Sequence, residues 1–124
     1  PSVDHFILSP QSDWNGFRKG LRKMGFVQCS EDMVFEEGKY YLITEVRYAP
    51  NEAKCEEHEE LEDRFGPFLL REKHPELCKY LEWQQGIYHG ILHKLAEGNA
   101  KKAEEREREV KEELAFVEAA LRVF

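Results

Sequence analysis

Three β-rich runs with only one amphipathic helix among them constrain this chain more than any other sequence feature. The runs cover residues 3–8, 26–35 and 40–48. The third run carries apolar side chains on both of its alternating faces, which predicts a strand inside a sheet and not at its edge. Gly38 lies between the second and third runs and favours a hairpin turn, because glycine readily adopts positive φ. The sequence therefore predicts an α/β unit with a small sheet, and we expect the run at 3–8 to be a buried strand.

A single helix can cover only one face of such a sheet. The other face and at least one strand edge then need material that this chain does not supply. The chain has 124 residues, which is enough for one modest domain or for one small α/β unit with a helical appendage. We therefore expect the sheet to be one part of a larger sheet.

The helix between the first two runs has clear start and stop signals. Ser12 or Asp13 can cap its first turn, and Gly25 is a terminating residue. The apolar positions repeat at the spacing of one helix face: Trp14, Phe17, Leu21 and Met24. The opposite face is basic and carries Arg18, Lys19, Arg22 and Lys23.

These basic residues are candidate contacts to an RNA backbone, because lysine and arginine bind phosphate through charge and hydrogen bonds. The simpler interpretation is a solvated helix face, which is common for such runs. Lys101 and Lys102 form a similar but weaker candidate later in the chain. The net charge of −7 argues against a dedicated nucleic-acid module, so any RNA contact is local or depends on a partner.

The second half of the chain has a different pattern. Residues 51–75 begin with a charged, apolar-poor segment, which predicts an exposed helix or a linker. Residues 76–124 carry two heptad-patterned helices on either side of Gly98 and Asn99, which predicts an antiparallel coiled-coil hairpin. We therefore divide the chain into an α/β part at 1–50, a linker at 51–75 and a helical hairpin at 76–124.

No pattern in the sequence indicates a catalytic, cofactor-binding or metal site. None of the eight glycines forms the G-x-G of a nucleotide-binding turn. His89 and His93 have metal-ligand spacing on a helix but no third ligand in register, so a surface coincidence is the better interpretation. Cys55 and His58 are isolated in an acidic segment, and Cys78 is most simply a packing residue.

The cysteines, the lengths of the apolar runs and the positions of the aromatic residues each favour one interpretation. The three cysteines fit neither a disulfide set nor a zinc knuckle, so we interpret them as reduced thiols. No apolar run is long enough to cross a membrane, and we expect a cytoplasmic protein. Trp14 and Tyr88 fall on packing positions, so packing is a better interpretation for them than base stacking.

The ordered combination of four segments resembles the bacterial methyltransferases that modify N1 of adenine 22 in tRNA. Each segment is a weak signal alone, but all four occur in that family's order and spacing: FILSP at 6–10, LRKMGF at 21–26, EEGKYY at 36–41 and RFGPFLL at 64–70. The heptad hairpin is also similar to the C-terminal coiled coil of that family. The resemblance covers nearly the whole chain.

The resemblance implies the last strands of a class I, Rossmann-like methyltransferase sheet followed by a helical hairpin. It implies that S-adenosylmethionine binding and catalysis reside in a segment upstream of Pro1, so this chain alone would bind no cofactor. It also implies tRNA as a partner, with Arg18, Lys19, Arg22, Lys23, Lys101 and Lys102 as the positions that carry over. We expect the missing half, or a second copy of the chain, to complete the sheet.

A different class of function stays open beside this one. The two heptad seams can meet another chain as readily as each other, which is the property of a free-standing interaction module. Such a module would have no catalytic activity. Whether the chain acts as part of an enzyme or as a module is not decided by the residues alone.

Overall fold

The computed structural model describes residues 5–55, 59–98 and 101–124, with the side chains of 54, 55, 101 and 102 left out. The chain divides into two compact units, Pro1–Leu77 and Cys78–Phe124. The elements of the first unit follow one another as β1 (His5–Leu8), α1 (Trp14–Lys23), β2 (Phe26–Glu36), β3 (Lys39–Tyr48), α2 (Pro50–Cys55), α3 (Glu60–Phe65) and α4 (Pro67–Arg71). Helix α5 (Pro75–Ala96) starts in the first unit, and α6 (Lys101–Leu121) belongs to the second.

The sheet has the strand order β1-β3-β2, and β3 pairs antiparallel with both of its neighbours. The prediction that the third run lies inside the sheet is therefore confirmed. The β2–β3 hairpin closes with Glu36 opposite Lys39, and the turn residues Glu37 and Gly38 have φ of 50° and 79°. Two positive φ values define a turn that follows the natural twist of a hairpin, and glycine accepts such a value without strain.

One face of the sheet carries the core of the first unit. Leu42, Thr44 and Val46 of β3 are almost fully buried there, and Met33 of β2 lies beside them. Helix α1 begins at Asp13, whose Oδ1 accepts a hydrogen bond from the Gly16 N–H at 3.1 Å, as the capping signal predicts. The core of this unit is completed by apolar side chains from several elements: Leu21, Val27, Ala53, Phe65, Leu69, Leu70 and Leu77.

Strand β1 is not the buried strand that the sequence predicts. The side chain of Ile7 is 77% exposed, and Phe6 is also exposed. Among the described residues, β1 pairs with β3 along one edge only, and no strand pairs with the other edge. An apolar strand is buried only when another layer or strand covers it, and the described part of this chain provides none for Ile7.

The segment expected to be a linker is packed structure instead. It forms the short helices α2, α3 and α4, of which Phe65, Leu69 and Leu70 are buried. The prediction rested on the high charge of the segment, but the carboxylate of Asp63 is buried in an ion pair with Arg22. A buried charge is tolerated when an opposite charge and hydrogen bonds compensate its lost hydration. The first unit therefore extends to Leu77, beyond the expected boundary at residue 50.

The second unit contains the two long helices. Its most buried side chains are Leu81 of α5 and Val110, Leu114, Val117 and Ala120 of α6. The heptad pattern predicts seams that run through Leu81 in α5 and through Val110, Leu114 and Val117 in α6, so all of these buried residues except Ala120 lie on a predicted seam. Within the described ranges, no helix is long and apolar enough to span a membrane.

Candidate functional site

Helix α1 is fixed to strand β2 by a fully buried ion pair. The guanidinium of Arg18 is 1% exposed, and its Nη2 lies 2.7 Å from Oε2 of Glu31, whose side chain is 0% exposed. The Arg18 Nε donates to the same oxygen at 3.1 Å, and Nη1 donates to the backbone carbonyl of Asp63 at 2.9 Å. One side chain therefore connects the helix, the sheet and α3.

The Glu31 carboxylate also organises the chain reversal between α3 and α4. Its Oε1 accepts a hydrogen bond from the Phe68 N–H at 3.0 Å, and its Oε2 accepts one from Gln28 Nε2 at 2.9 Å. Gly66 passes close by with φ of 101°, and a Cβ at this position would lie 2.6 Å from Glu31 Oε1. Only glycine fits this approach. The RFGPFLL segment is thus held against the sheet by a buried carboxylate.

A second ion pair continues this network towards the surface. Arg22 binds Asp63 through two parallel hydrogen bonds, from Nη1 to Oδ1 at 2.6 Å and from Nη2 to Oδ2 at 2.8 Å. Such a bidentate arrangement is the strongest geometry for an arginine and a carboxylate. The side chain of Arg22 is 14% exposed, and that of Asp63 is 2% exposed.

These positions change the interpretation of the basic helix face. Arg18 is the candidate least available for an RNA contact, because its buried guanidinium is paired with Glu31. Arg22 is largely engaged in the same way with Asp63. Lys19 and Lys23 are the exposed members of the four, and the nearest acid to Lys19 is Glu60, with Nζ to Oε2 at 3.8 Å.

The remaining basic candidates, Lys101 and Lys102, stand at the start of α6. Their side chains are outside the described set, so their RNA contact stays a prediction. They belong to the second unit, and Lys19 and Lys23 belong to the first.

An apolar recess of the first unit lies beside β1. It has a volume of about 460 Å³ and no polar lining. Its wall is formed by side chains of β1, α1, β2 and β3: Phe6, Leu8, Phe17, Leu21, Met24, Phe26 and Val46, with the backbone of Gly20. We call this recess the β1 groove. Because it contains no polar group that could orient a small ligand, it is better suited to apolar side chains of another protein segment.

The described histidine and cysteine side chains do not form a metal site. No group of three or more potential metal ligands is present among the residues with described placement. His93 is strongly exposed, with its Nε2 3.6 Å from Oε1 of Glu97. Partial burial raises the pKa of the Cys78 thiol, and the nearby Glu82 carboxylate raises it further. Cys55 and His58, interpreted from the sequence as isolated residues, lie outside the described side chains.

The chain matches one known protein family over nearly its whole length. The model of the tRNA (adenine(22)-N(1))-methyltransferase family matches residues 1–119. The chain belongs to this family. The resemblance carried by the four sequence segments is therefore confirmed, and so is the class I, Rossmann-like character of the sheet. No curated protein matches the chain.

Three solved structures of similar proteins share the fold. An uncharacterized protein of Listeria monocytogenes serotype 4b is 21% identical with a TM-score of 0.86, and the match covers 96% of this chain and 51% of that one. The m1A22 tRNA methyltransferase TrmK of B. subtilis is 18% identical with a TM-score of 0.76 over 94% and 51%. A putative tRNA (m1A22) methyltransferase of Streptococcus pneumoniae is 25% identical with a TM-score of 0.75 over 96% and 50%. A complex of the Streptococcus pneumoniae protein with S-adenosyl-L-methionine also matches, at 24% identity and a TM-score of 0.69 over 96% and 48%.

The chain thus spans about half the length of the solved relatives that it matches. The matched range of this chain contains β1, the β1 groove beside it and both long helices. It also contains the buried network of Arg18, Glu31 and Asp63, which is the structural centre of the first unit.

Sequence reasoning missed this network, although one signal pointed to it. Glu31 alternates with Met33 on β2, and both side chains point to the buried face. A carboxylate on a core face requires a cationic partner, and Arg18 and Arg22 are the arginines of the adjacent helix. The charge on Glu31 therefore predicts an ion pair with one of these two arginines.

Proposed function

We propose that this chain provides the C-terminal portion of an S-adenosylmethionine-dependent tRNA adenine-N1 methyltransferase. The observation that carries the proposal is the family match over residues 1–119 in a chain that spans half of its solved relatives. The cofactor and the catalytic groups belong, in this proposal, to the half that the match does not include. The proposed compartment is the cytoplasm, where tRNA is available.

The first task of the chain in this enzyme is to complete the sheet. No described strand pairs with the outer edge of β1, and exposed Ile7 and Phe6 give apolar contact area there. The β1 groove accepts apolar side chains on the α1 side of the same edge. A strand and a helix of the other half would bury both features together.

The second task is to contribute to tRNA binding. Lys19 and Lys23 are exposed on one side of α1 and provide cations for phosphate contacts, and Lys101 and Lys102 are the corresponding candidates in α6. Methyl transfer itself depends mainly on placing N1 of the adenine close to the activated methyl group. Phosphate contacts of this kind position the tRNA and do not read its sequence.

The decisive experiment uses the complete reading frame from which this chain derives. The purified product is incubated with S-adenosylmethionine carrying a labelled methyl group and with a tRNA transcript, and a second transcript with guanine at position 22 is the control. We expect label only in the transcript with adenine 22, and in its N1-methyladenine. An absence of methyl transfer to either transcript would contradict the proposal.

A second candidate function, a free-standing interaction module, is favoured by one observation. The open, apolar edge of β1 can pair with a second copy of the same strand, because the described residues leave it uncovered. Self-association of the isolated chain is expected under both proposals, so light scattering after size exclusion is combined with a tRNA-binding measurement, and tRNA binding separates them. A stable dimer that does not bind tRNA would favour the module.

A further inference from the structure

The β2–β3 hairpin extends well beyond the end of β1. The last residue of β1, Leu8, pairs with Thr44, while β2 and β3 remain paired as far as Glu36 and Lys39. The chain leaves the sheet after Ser9, whose Oγ donates a hydrogen bond to the Leu42 carbonyl at 2.8 Å. The tip of the hairpin is therefore not flanked by β1.

This projection lies at a specific end of the sheet. Strands β1 and β2 are both antiparallel to β3, so they run in the same direction. Their carboxyl ends point towards the hairpin tip. In Rossmann-like sheets, ligands bind at the carboxyl ends of the parallel strands. The projecting hairpin is therefore placed beside the edge where such a sheet binds its substrates.

The hairpin presents an aromatic surface at this edge. Phe35 and Tyr40 are opposite each other on the two strands, with ring centroids 4.6 Å apart and an interplanar angle of 42°. Phe35 is 52% exposed, and together with Tyr40 it forms a paired aromatic surface at the hairpin tip.

Two other exposed rings of the sheet, Phe6 and Tyr48, have a separate explanation. Phe6 and Tyr48 lie at the opposite end of β1, where both contact Phe26 at centroid distances of 5.8 and 5.3 Å. Phe6 and Phe26 line the β1 groove, so this cluster belongs to the surface proposed for sheet completion. Phe35 and Tyr40 are not part of that lining.

We propose that the Phe35–Tyr40 pair is a stacking platform for an unpaired nucleobase of the tRNA substrate. The inference rests on the proposed function. The tip itself carries Glu36 and Glu37 against Lys39, and this acidic excess disfavours a phosphate backbone, whereas the faces of the two rings are uncharged. The platform thus contacts a base and not a backbone.

The chemistry of the proposed reaction favours an unpaired base at this place. N1 of adenine lies on the edge used in Watson–Crick pairing, so the target must be unpaired before it can accept a methyl group. Unpaired bases in RNA are bound by stacking on aromatic side chains. The platform would hold the target adenine or a neighbouring base that opens with it.

The test measures binding of the 124-residue chain to an unmodified tRNA transcript at low salt by fluorescence anisotropy. Phe35→Ile keeps an apolar, strand-favouring side chain but removes the ring, and Phe35→Trp keeps a ring. A stacked base contributes about 1–3 kcal/mol, so Phe35→Ile should weaken binding by at least about 5-fold. Phe35→Trp should bind as well as the unsubstituted chain. Tyr48→Ile, which removes an equally exposed ring at the other end of the sheet, should have no effect.

A second readout separates a loss of stacking from a loss of folding. The difference between Phe35→Ile and the unsubstituted chain should disappear with a fully double-stranded RNA, because paired bases do not reach the platform. Ultraviolet crosslinking followed by mass spectrometry should place an RNA adduct within residues 33–42 of the unsubstituted chain.

The following results would contradict the stacking platform. If Phe35→Ile binds tRNA as tightly as the unsubstituted chain, or Phe35→Trp fails to restore binding, the platform is wrong while the proposed function stands. If the unsubstituted chain does not bind the transcript at all, its proposed role in tRNA binding fails and the platform fails with it.

Discussion

Replacement of Arg18 by methionine tests whether the buried ion pair holds the first unit together. Methionine has a similar length and fills most of the same space, so the substitution removes the charge with little change in packing volume. Glu31 then loses the hydrogen bonds from Nε and Nη2 and keeps those from Gln28 and the Phe68 N–H. The backbone carbonyl of Asp63 loses its bond from Nη1.

The size of the effect follows from the burial of the carboxylate. Removing one partner of a buried ion pair costs about 3–5 kcal/mol, because the other charge is left without compensation. Glu31 retains two other donors, so we expect about 3 kcal/mol for Arg18→Met. In a unit of this size, 1 kcal/mol changes Tm by about 4–8 °C, which gives a decrease of roughly 12–24 °C. The double variant Arg18→Met with Glu31→Gln removes both charges and should be at least about 1 kcal/mol more stable than Arg18→Met alone.

The assay is urea denaturation followed by tryptophan fluorescence. A Trp83→Phe background leaves Trp14, at the start of α1, as the reporter of the first unit. Lys19→Met is the matched control, because Lys19 neighbours Arg18 on the same helix but is 45% exposed, and it should change stability by less than about 0.5 kcal/mol. If Arg18→Met costs no more than Lys19→Met, or if the double variant is less stable than Arg18→Met, the reasoning about the buried charge is wrong.

Three further predictions test other features of the two units. Gly66→Ala should destabilise the first unit by more than about 2 kcal/mol, because the new Cβ meets a buried carboxylate oxygen and the residue has a φ of 101°. Gly20→Ala places its Cβ in open space on a helix and should stabilise the unit by about 0.5–1 kcal/mol in the same urea titration. Equal effects of the two substitutions would contradict this prediction. The isolated chain should self-associate through β1, so dilution should reduce the hydrogen-exchange protection of residues 5–8. In sedimentation, Ile7→Lys should abolish the association, whereas Ile87→Lys in the second unit should not. A monomer with strong protection at residues 5–8 would refute this prediction. The raised pKa of Cys78 leaves less thiolate at neutral pH, so iodoacetamide should alkylate this thiol more slowly than a model peptide thiol. The two alkylation rates should become similar only as the pH rises above the raised pKa. Faster alkylation of Cys78 at neutral pH would contradict the direction of the shift.

The local elements of the first unit could be predicted because their signals lie close together in the sequence. The Asp13 cap, the spacing of apolar residues in α1 and the Gly38 turn each depend on residues a few positions apart. The alternation along β3 was sufficient to place this strand in the middle of the sheet, as observed.

The candidate site could not be predicted to the same degree. The sequence identified four basic residues on one face of α1, but two of them have quite different surroundings from the other two. Arg18 is paired with a carboxylate thirteen positions away on β2, and Arg22 with one forty-one positions away on α3. Lys19 and Lys23 remain exposed. A one-dimensional pattern of charge does not distinguish a solvated cation from a buried one, because burial depends on which distant elements pack against the helix.

The sequence by itself therefore determined the periodicity of α1, β3 and the two long helices, the turn that joins β2 to β3 and the family of the chain. Only the tertiary structure decided that α2, α3 and α4 are packed helices, that Ile7 is exposed, and that Arg18 lies inside the protein. The physical reason is that backbone conformation follows from neighbouring residues, whereas the cost of burying a charge or an apolar side chain is set by whatever surrounds it in space. For Glu31 those surroundings come from α1, α4 and β2 itself, three elements that are brought together only when the chain folds.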